Sequence, residues 1–310
     1  MDMDDVIRGI FENLDTFKIV GRETSGSGDA YKNVIAEKTF HSFVVDDIRD
    51  VIINNTVFKN PPFMVIDEIL SQWFNMNPPL MAKYRQDISK YYKLNKMGHV
   101  EYTYGARFNE WNQFDRVLSI LTERLDSKRA IVQIYTPYDT DPSRKDVPCT
   151  LFYHFIVREN KLHTFVAYRS HDLYAGVKVD YVFVSFLNQF LVSALNDILG
   201  VNLEPGELHV HESSLHYYPS SVKNGKNLVL DSFVLDKEKR RFVVFKGMKL
   251  QEMIDDLRSL KVVEDTGHSE LAINRFRTIK DPVIRDFARV LASKNKLEPY
   301  GSFETEAMWW

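Results

Sequence analysis

The chain contains a single cysteine among 310 residues. Cys149 sits in Asp146-Val147-Pro148-Cys149-Thr150, where a polar loop gives way to the alternating run Leu151 to Val157. A thiol at the mouth of a strand can point its sulfur into a cleft, so Cys149 reads as a candidate nucleophile. Covalent catalysis then requires a base, a substrate anchor and a lid around it. Two other stretches carry side chains that a core seldom accepts. Arg169-Ser170-His171-Asp172 closes the strand-like run Leu162 to Tyr168, and such groups are rarely buried together without a ligand or partner. Asp67 and Glu68 interrupt an apolar helix that Pro61-Pro62 introduces. A carboxylate on the inner side of a helix is costly unless it is paired or working, and the sequence leaves both readings open. His209, His211 and His216 fall on one strand-like run, Glu207 to Tyr218. No further ligand stands at helical metal spacing and the i, i+2 pair is equally one face of a strand, so no metal is expected.

The elements that must position these groups follow from periodicity. Met3 to Leu14 has helical apolar spacing, and Tyr181 to Leu199 is an apolar helix that Gly200 terminates. Trp111 to Leu125 also reads as a helix, after which Lys128 and Arg129 suit its C-terminal dipole. Basic, tyrosine-rich Lys83 to Lys96 reads as a solvated helix, and Leu250 to Leu260 and Pro282 to Ala292 as two more. Strands are expected at Phe40 to Val45, at Glu101 to Phe108 ending in a glycine turn, at Ala130 to Tyr135 and at Arg241 to Phe245. Gly21 to Gly28 is a polar loop with one arginine, Arg22, able to close on an anion or to serve only as a connection. Mixed helices and strands place the chain in the α+β class.

Composition bounds the function. The chain is 44% hydrophobic and 13% aromatic, ample for a core, and a net charge of -3 gives no global field for nucleic acid. The N-terminus is acidic without a signal-like apolar stretch, and the longest apolar run, Tyr181 to Leu191, is broken by Ser185 and Asn188. A cytoplasmic protein with no membrane partner is expected.

In order, the chain offers an Arg in a Gly/Ser/Thr loop, a Glu on a helix, Tyr-Gly, Ser-Lys-Arg, Pro-Cys, Arg-Ser-x-Asp with a following Gly, and His-x-Tyr. This succession resembles the thymidylate synthase family over about residues 17 to 220, most specifically from Leu125 to Tyr218. The resemblance implies a thymidylate synthase-like fold, a mixed β-sheet with flanking helices, packed sheet to sheet in a homodimer. It implies one catalytic domain over 1–310, with a divergent region at about 221–310. Cys149 matches the nucleophile that adds to C6 of a pyrimidine nucleoside monophosphate, turning C5 into a carbon nucleophile. Arg169 resembles the phosphate-binding arginine that also lies near the thiol and favours thiolate. Arg22 and Ser170 resemble further phosphate ligands. Lys128 and Arg129 match a basic pair that reaches into the neighbouring subunit's phosphate site, so that active sites are shared. Lys128 replaces an arginine and loses its planar fork. Glu68 matches the glutamate that organises water and proton transfer, and Tyr104 the tyrosine near C5 proton removal. His216 and Tyr218 match the pair that binds the sugar 3'-hydroxyl. Asp172 and Gly176 fall where the family binds its co-substrate, 5,10-methylenetetrahydrofolate.

Departures from the family refine the expectation. Asp180 stands where members acting on deoxyuridylate have asparagine. Cytosine presents an N4 donor and an N3 acceptor, which suits an acid that accepts from N4 and shares a proton with N3, and unmatched buried polar groups reject uracil. Thr150 replaces a histidine beside the nucleophile. The tryptophan pair of the methylating members is absent, with Tyr91 and Tyr92 nearby, so the exocyclic methylene is more open to water. These features resemble the cytidylate (CMP or dCMP) 5-hydroxymethylase branch. Two alternatives stand beside it: a thymidylate synthase methylating dUMP, and a nucleotide-binding homodimer without turnover. The C-terminal Trp309 and Trp310 either close over the folate or form a tail.

Overall fold

The computed structural model describes residues 1–20, 35–77, 103–143, 147–219, 226–234, 240–266 and 269–294. Arg22, the tyrosine-rich 83–96 segment, Tyr91, Tyr92, Trp309 and Trp310 lie outside these residues.

The scaffold is a mixed seven-stranded sheet in the order β1-β2-β7-β5-β4-β3, with β6 also paired to β7. The strands are β1 (Lys18–Val20), β2 (Ile35–Val45), β3 (Ile131–Gln133), β4 (Thr150–Arg158), β5 (Lys161–Tyr168), β6 (His171–Asp172) and β7 (Glu204–Tyr217). β7 runs antiparallel to β2 but parallel to β5 and β6. Alternation decides which face is covered. Tyr153, Phe155 and Val157 of β4, Leu162, Thr164, Val166 and Tyr168 of β5, and Leu208, Val210 and Glu212 of β7 are buried. The residues between them, among them Phe152, Ile156, Phe165, His209 and His211, are half-buried on the opposite face. The sheet is open, not a barrel, and helices flank it, as the expected fold requires.

In chain order the helices introduced here are α1 (Met3–Glu12), α2 (Pro62–Trp73), α3 (Tyr104–Asn109), α4 (Gln113–Glu123), α5 (Asp180–Leu199), α6 (Lys226–Leu230), α7 (Leu250–Thr266), α8 (Glu270–Thr278) and α9 (Pro282–Lys294). α5 lies at the centre. It is long and apolar enough to cross a membrane, yet its residues from Tyr181 to Leu195 are all buried inside the protein. A helix apolar on every side is what a core helix requires. Gly200 ends it at φ 64°, a left-handed conformation that glycine adopts without strain.

Two expected strands are corrected. Arg241 to Phe245 pairs with no strand among the described residues: the Phe242 amide donates to the Arg49 carbonyl, and others of its backbone groups are bound by side chains. Gln189 of α5 donates to the Phe242 carbonyl at 2.9 Å and accepts from the Val244 amide at 3.0 Å. Ser193 donates to the Phe245 carbonyl, and the Phe245 amide donates to Asp281. The polar residues inside α5 thus do the work of a neighbouring strand. The stretch around Tyr104 is likewise helical. Thr103 caps α3 by accepting from the Ala106 amide at 3.0 Å, and Arg107 is buried against Asp139 at 2.8 Å. Lys128 and Arg129 also lie beyond a helix that already ends at Glu123, so they do not cap it.

Gly105 permits α3 to rest on α2. A Cβ there would strike the Ser71 carbonyl oxygen and come within 2.9 Å of Asn75 Cα, both backbone atoms. Gly105→Ala is therefore expected to destabilise the fold by about 1–3 kcal/mol, read from the urea midpoint, through forced separation of the two helices. A midpoint unchanged from the unsubstituted protein would show that α2 and α3 are not held this closely.

Candidate active site

Three sequence-distant pieces fix Cys149. Its amide donates to the Tyr104 hydroxyl at 2.6 Å, and its carbonyl accepts from the Arg169 amide at 2.9 Å. Arg169 then folds its guanidinium back, Nε donating to the Pro148 carbonyl at 2.7 Å and Nη2 to the Val147 carbonyl at 2.8 Å. The register between β4 and β5 shifts between Thr150 and Phe152, directly after Cys149. The Leu151 carbonyl there accepts from the amides of both Ile134 and Tyr135. Such an irregularity breaks the alternation of the strand and re-aims its first residues.

A second group forms where β5 runs into β6. Ser170 and His216 are both buried, with Oγ and Nδ1 3.4 Å apart, and the His216 ring meets Tyr218 edge to face at 5.6 Å. Asp172 pairs with His216 in register, and its carboxylate accepts from the amides of Tyr174 and Ala175. Gly176 follows in the turn, its carbonyl accepting from the Asp180 amide at 2.9 Å.

The carboxyl groups form a third cluster. Burial, and then the charges of Asp180 and Asp67, push Glu68 well above the usual carboxylate range. This is the direction expected of a carboxyl that must hold a proton and pass it on. Gln72 donates to Glu68 one turn along α2, while Asp67 accepts from Ser71 at 2.7 Å. Asp180, the first residue of α5, is a quarter exposed and lies 3.1 Å from His171 Nε2.

Sequence reasoning singled out Arg169-Ser170-His171-Asp172 but gave His171 no role, and it passed over Glu212, His41 and Tyr181. Glu212 is fully buried and accepts from His171 Nδ1 at 2.6 Å, His41 Nδ1 at 2.7 Å and the Tyr181 hydroxyl at 2.6 Å. Burial alone would raise the Glu212 carboxyl, but these hydrogen bonds win and hold it down at about 2. Burial likewise disfavours a charged His171, yet its hydrogen bonds to Asp180 and Glu212 lift it to about 9. The signal was present in the sequence: Glu212 has the parity of Leu208 and Val210, a carboxylate at a core-facing strand position.

The remaining candidates are placed more simply. Lys128 and Arg129 are exposed on the turn between α4 and β3, and among the described residues no side-chain hydrogen bond or ion pair joins them to the groups above. His209 and His211 share the half-buried sheet face, apart from His216. There His209 and His163 both pair with Glu207, at 2.8 and 3.3 Å, and the ligand-type atoms of the three lie within 4.8 Å of one another.

The Glu212 cluster makes stability depend on pH. His171 is raised from 6.5 to about 9 on folding, so its contribution is complete below pH 6.5 and is lost as pH rises through about 9. Glu212→Gln is expected to lower unfolding stability by about 3–5 kcal/mol at pH 6, the cost of breaking a buried ion pair. The deficit should shrink between pH 6.5 and 9 in urea titrations. A deficit constant across that window would mean that His171 is not charged in the folded protein.

A family model described as thymidylate synthase matches residues 60–287; it begins after the Arg22 loop of the expected 17–220 span and continues past its C-terminal end. A protein of Methanothermobacter marburgensis named "Putative thymidylate synthase" is 30% identical over 131 residues, covering 41% of this chain and 56% of its own length. A protein of the same name from Methanosarcina mazei is 29% identical over 133 residues, covering 42% of this chain and 58% of its own. The chain thus spans little more than half the length of these relatives. With the family model covering most of the chain, and with Cys149, Arg169, Tyr104 and Glu68 set on one scaffold, the protein belongs to the thymidylate synthase family.

Proposed function

We propose that the protein is a one-carbon transferase that hydroxymethylates C5 of a cytidine monophosphate, CMP or dCMP, with 5,10-methylenetetrahydrofolate as co-substrate. The observation that carries the cytosine assignment is Asp180, an acid at the base-selecting position, held by His171 and opening toward Glu68. An asparagine amide can donate to O4 of uracil and accept from its N3–H, whereas an ionised carboxylate has only acceptors to offer. Cytosine answers with its N4 donor, and the strength of discrimination comes from the unpaired groups that uracil would leave behind.

The chemistry begins with the Cys149 thiolate forming a bond to C6. The electron pair of the C5=C6 bond moves toward N3 and C4, and C5 becomes nucleophilic. The folate supplies the one-carbon unit that C5 acquires, and it departs as tetrahydrofolate when its bond from nitrogen to that carbon breaks with loss of the C5 proton, leaving the exocyclic methylene on C5. Loss of the C5 proton falls to the Tyr104 side of the site. Glu68, raised by burial and by Asp180, holds a proton that it can deliver or recover through water. Water then adds to the exocyclic methylene, and the thiolate leaves C6 as the ring double bond reforms. Ser170, His216 and Tyr218 form the sugar and phosphate side, with Arg22 and Arg169 as anion ligands. Asp172 and Gly176 would hold the pterin ring. The residues fit such occupants: the Tyr168 hydroxyl is fully buried and has no hydrogen-bond partner among the described residues, a state that a bound polar molecule or water relieves.

The half-buried face carrying Phe152, Ile156 and Phe165 is suited to pack against a second copy, which would bring Lys128 and Arg129 to the partner's phosphate site. We place such a homodimer in the cytoplasm.

Tritium release from C5 of CMP, dCMP, UMP and dUMP tests the proposal directly. Cytosine nucleotides should be preferred, the product should carry a hydroxymethyl group, and dihydrofolate should not form. Stoichiometric dihydrofolate from dUMP would instead establish a thymidylate synthase. Asp180→Asn is expected to shift preference toward uracil by about a hundredfold, the scale of losing one matched buried polar contact; an unchanged preference removes Asp180 from base selection. Cys149→Ser should abolish release while nucleotide binding persists, and release unaffected by that substitution would exclude covalent catalysis.

A further inference from the structure

The strand register places an unusual polar cluster behind the base-selecting residue. On β7, Glu212 stands opposite His41 of β2 on one side and Tyr168 of β5 on the other. All three side chains therefore rise from the helix-covered face, and α5 closes over them with Asp180 and Tyr181. His171 enters from β6. Its ring stacks on Tyr168 at 4.0 Å with the planes 10° apart, and meets Tyr181 edge to face at 5.3 Å. Gly176 walls the ring's edge so closely that a Cβ would come within 2.6 Å of Cδ2 and 3.2 Å of the Asp180 carboxylate. The ring cannot turn.

Held this way, both ring nitrogens face carboxylates: Nδ1 lies 2.6 Å from Glu212 and Nε2 lies 3.1 Å from Asp180. A carboxylate is acceptor-only, so a ring between two of them satisfies both when it carries both protons. Glu212 has two further donors, His41 and the Tyr181 hydroxyl, which keep it ionised. The groups facing His171 are thus Glu212 from β7, Asp180 and Tyr181 from α5 and Tyr168 from β5, with His41 one bond further away on β2. Burial and the charge of Asp180 act on the Tyr168 phenol to keep it protonated.

We propose that His171 is the positioning residue and proton store of the base selector: clamped by Glu212, it fixes the Asp180 carboxylate and supplies, through Asp180, the proton that N3 of cytosine takes up. The inference rests on the cytidylate reading above. Neutral cytosine has a lone pair at N3, which an ionised Asp180 would repel unless a proton lies between them. As the Cys149 sulfur bonds to C6, the displaced electron pair reaches N3. The proton on His171 Nε2 passes to the Asp180 carboxylate and from that carboxylate to N3. His171 is left neutral, with Nδ1–H still bonded to ionised Glu212. When the sulfur leaves C6 the proton returns along the same path, so the relay is restored each turnover. Uracil already carries a proton on N3 and makes no use of the store.

The test measures kcat and KM for CMP, dCMP and UMP by tritium release from pH 6 to 10, for the unsubstituted enzyme, His171→Gln and Glu212→Gln. The cytosine reaction should lose rate as pH rises through about 9. Glu212→Gln should move that loss to lower pH, because the ring then has one carboxylate fewer to keep it charged. His171→Gln, which can still donate one hydrogen bond to Asp180, should lower kcat about a hundredfold with KM changed far less, and should erase the alkaline limb. Its preference for cytosine over uracil should narrow by a similar factor. Carbon-13 titration of the His171 ring in the nucleotide-free protein gives a readout that does not depend on turnover. The ring should remain charged beyond pH 8, and titration near 6.5 would overturn the proton store. Cytosine turnover by His171→Gln with unchanged limb and preference would overturn the role of His171 and leave the cytidylate reading intact. An unsubstituted enzyme inert toward CMP and dCMP would overturn both.

Discussion

One buried carboxylate, that of Glu212, organises the catalytic side of this protein. An ionised group in a dry core is tolerated only when its oxygens are occupied by donors. Glu212 has three, from His41, His171 and Tyr181. Those donors lie on β2, β6 and α5, so one requirement for charge compensation fastens the central strand to its neighbour, to the short strand beyond β5 and to the core helix. The parallel pairing of β7 with both β5 and β6 follows the same geometry, because it brings Tyr168 and His171 to one side of Glu212 while β2 brings His41 to the other.

Cys149, the candidate nucleophile, is set by a different principle: its backbone is held. The Tyr104 hydroxyl takes its amide, the Arg169 amide takes its carbonyl, and the Arg169 guanidinium spans the two carbonyls before it. Arginine is suited to this double task because its planar fork can bind backbone oxygens along one edge and still present charge beyond them. The loop reaches this position with its own register irregularity, so the sulfur's direction is a property of the backbone. A site built this way is arranged before substrate arrives, which reduces the cost of ordering it during reaction.

What the sequence disclosed, and what it concealed, follows the same division between local and long-range causes. Helix α5 was legible from its predominantly apolar character and Gly200, and β4, β5 and β7 from their alternation, since those patterns are local. The Arg241 to Phe245 segment has the composition of a strand but is fixed by Gln189 and Ser193 some fifty residues away, and no local pattern reports that. Around Tyr104 the aromatic alternation misled because a capping threonine and the close approach of Gly105 to α2 outweigh strand propensity. Cys149 and Arg169 stand out in the sequence because they sit at strand ends, and Glu68 because it interrupts an apolar helix. His171 and Glu212 were obscured: each has an ordinary structural explanation when read alone, and only the register that sets His41, Tyr168 and Glu212 side by side reveals a connected group.

That connected group also bears on the neighbouring carboxyl of Glu68. The His171 ring lies against Asp180, while Glu68 feels the charges of Asp180 and Asp67 and, among the described residues, accepts from the Gln72 amide. Burial and those like charges favour a proton on Glu68. Environments that push paired titratable groups apart assign acid and base roles. Under the cytidylate reading proposed above, a change at Glu212 alters both base recognition and proton delivery, even though its nearest route to either runs through His171.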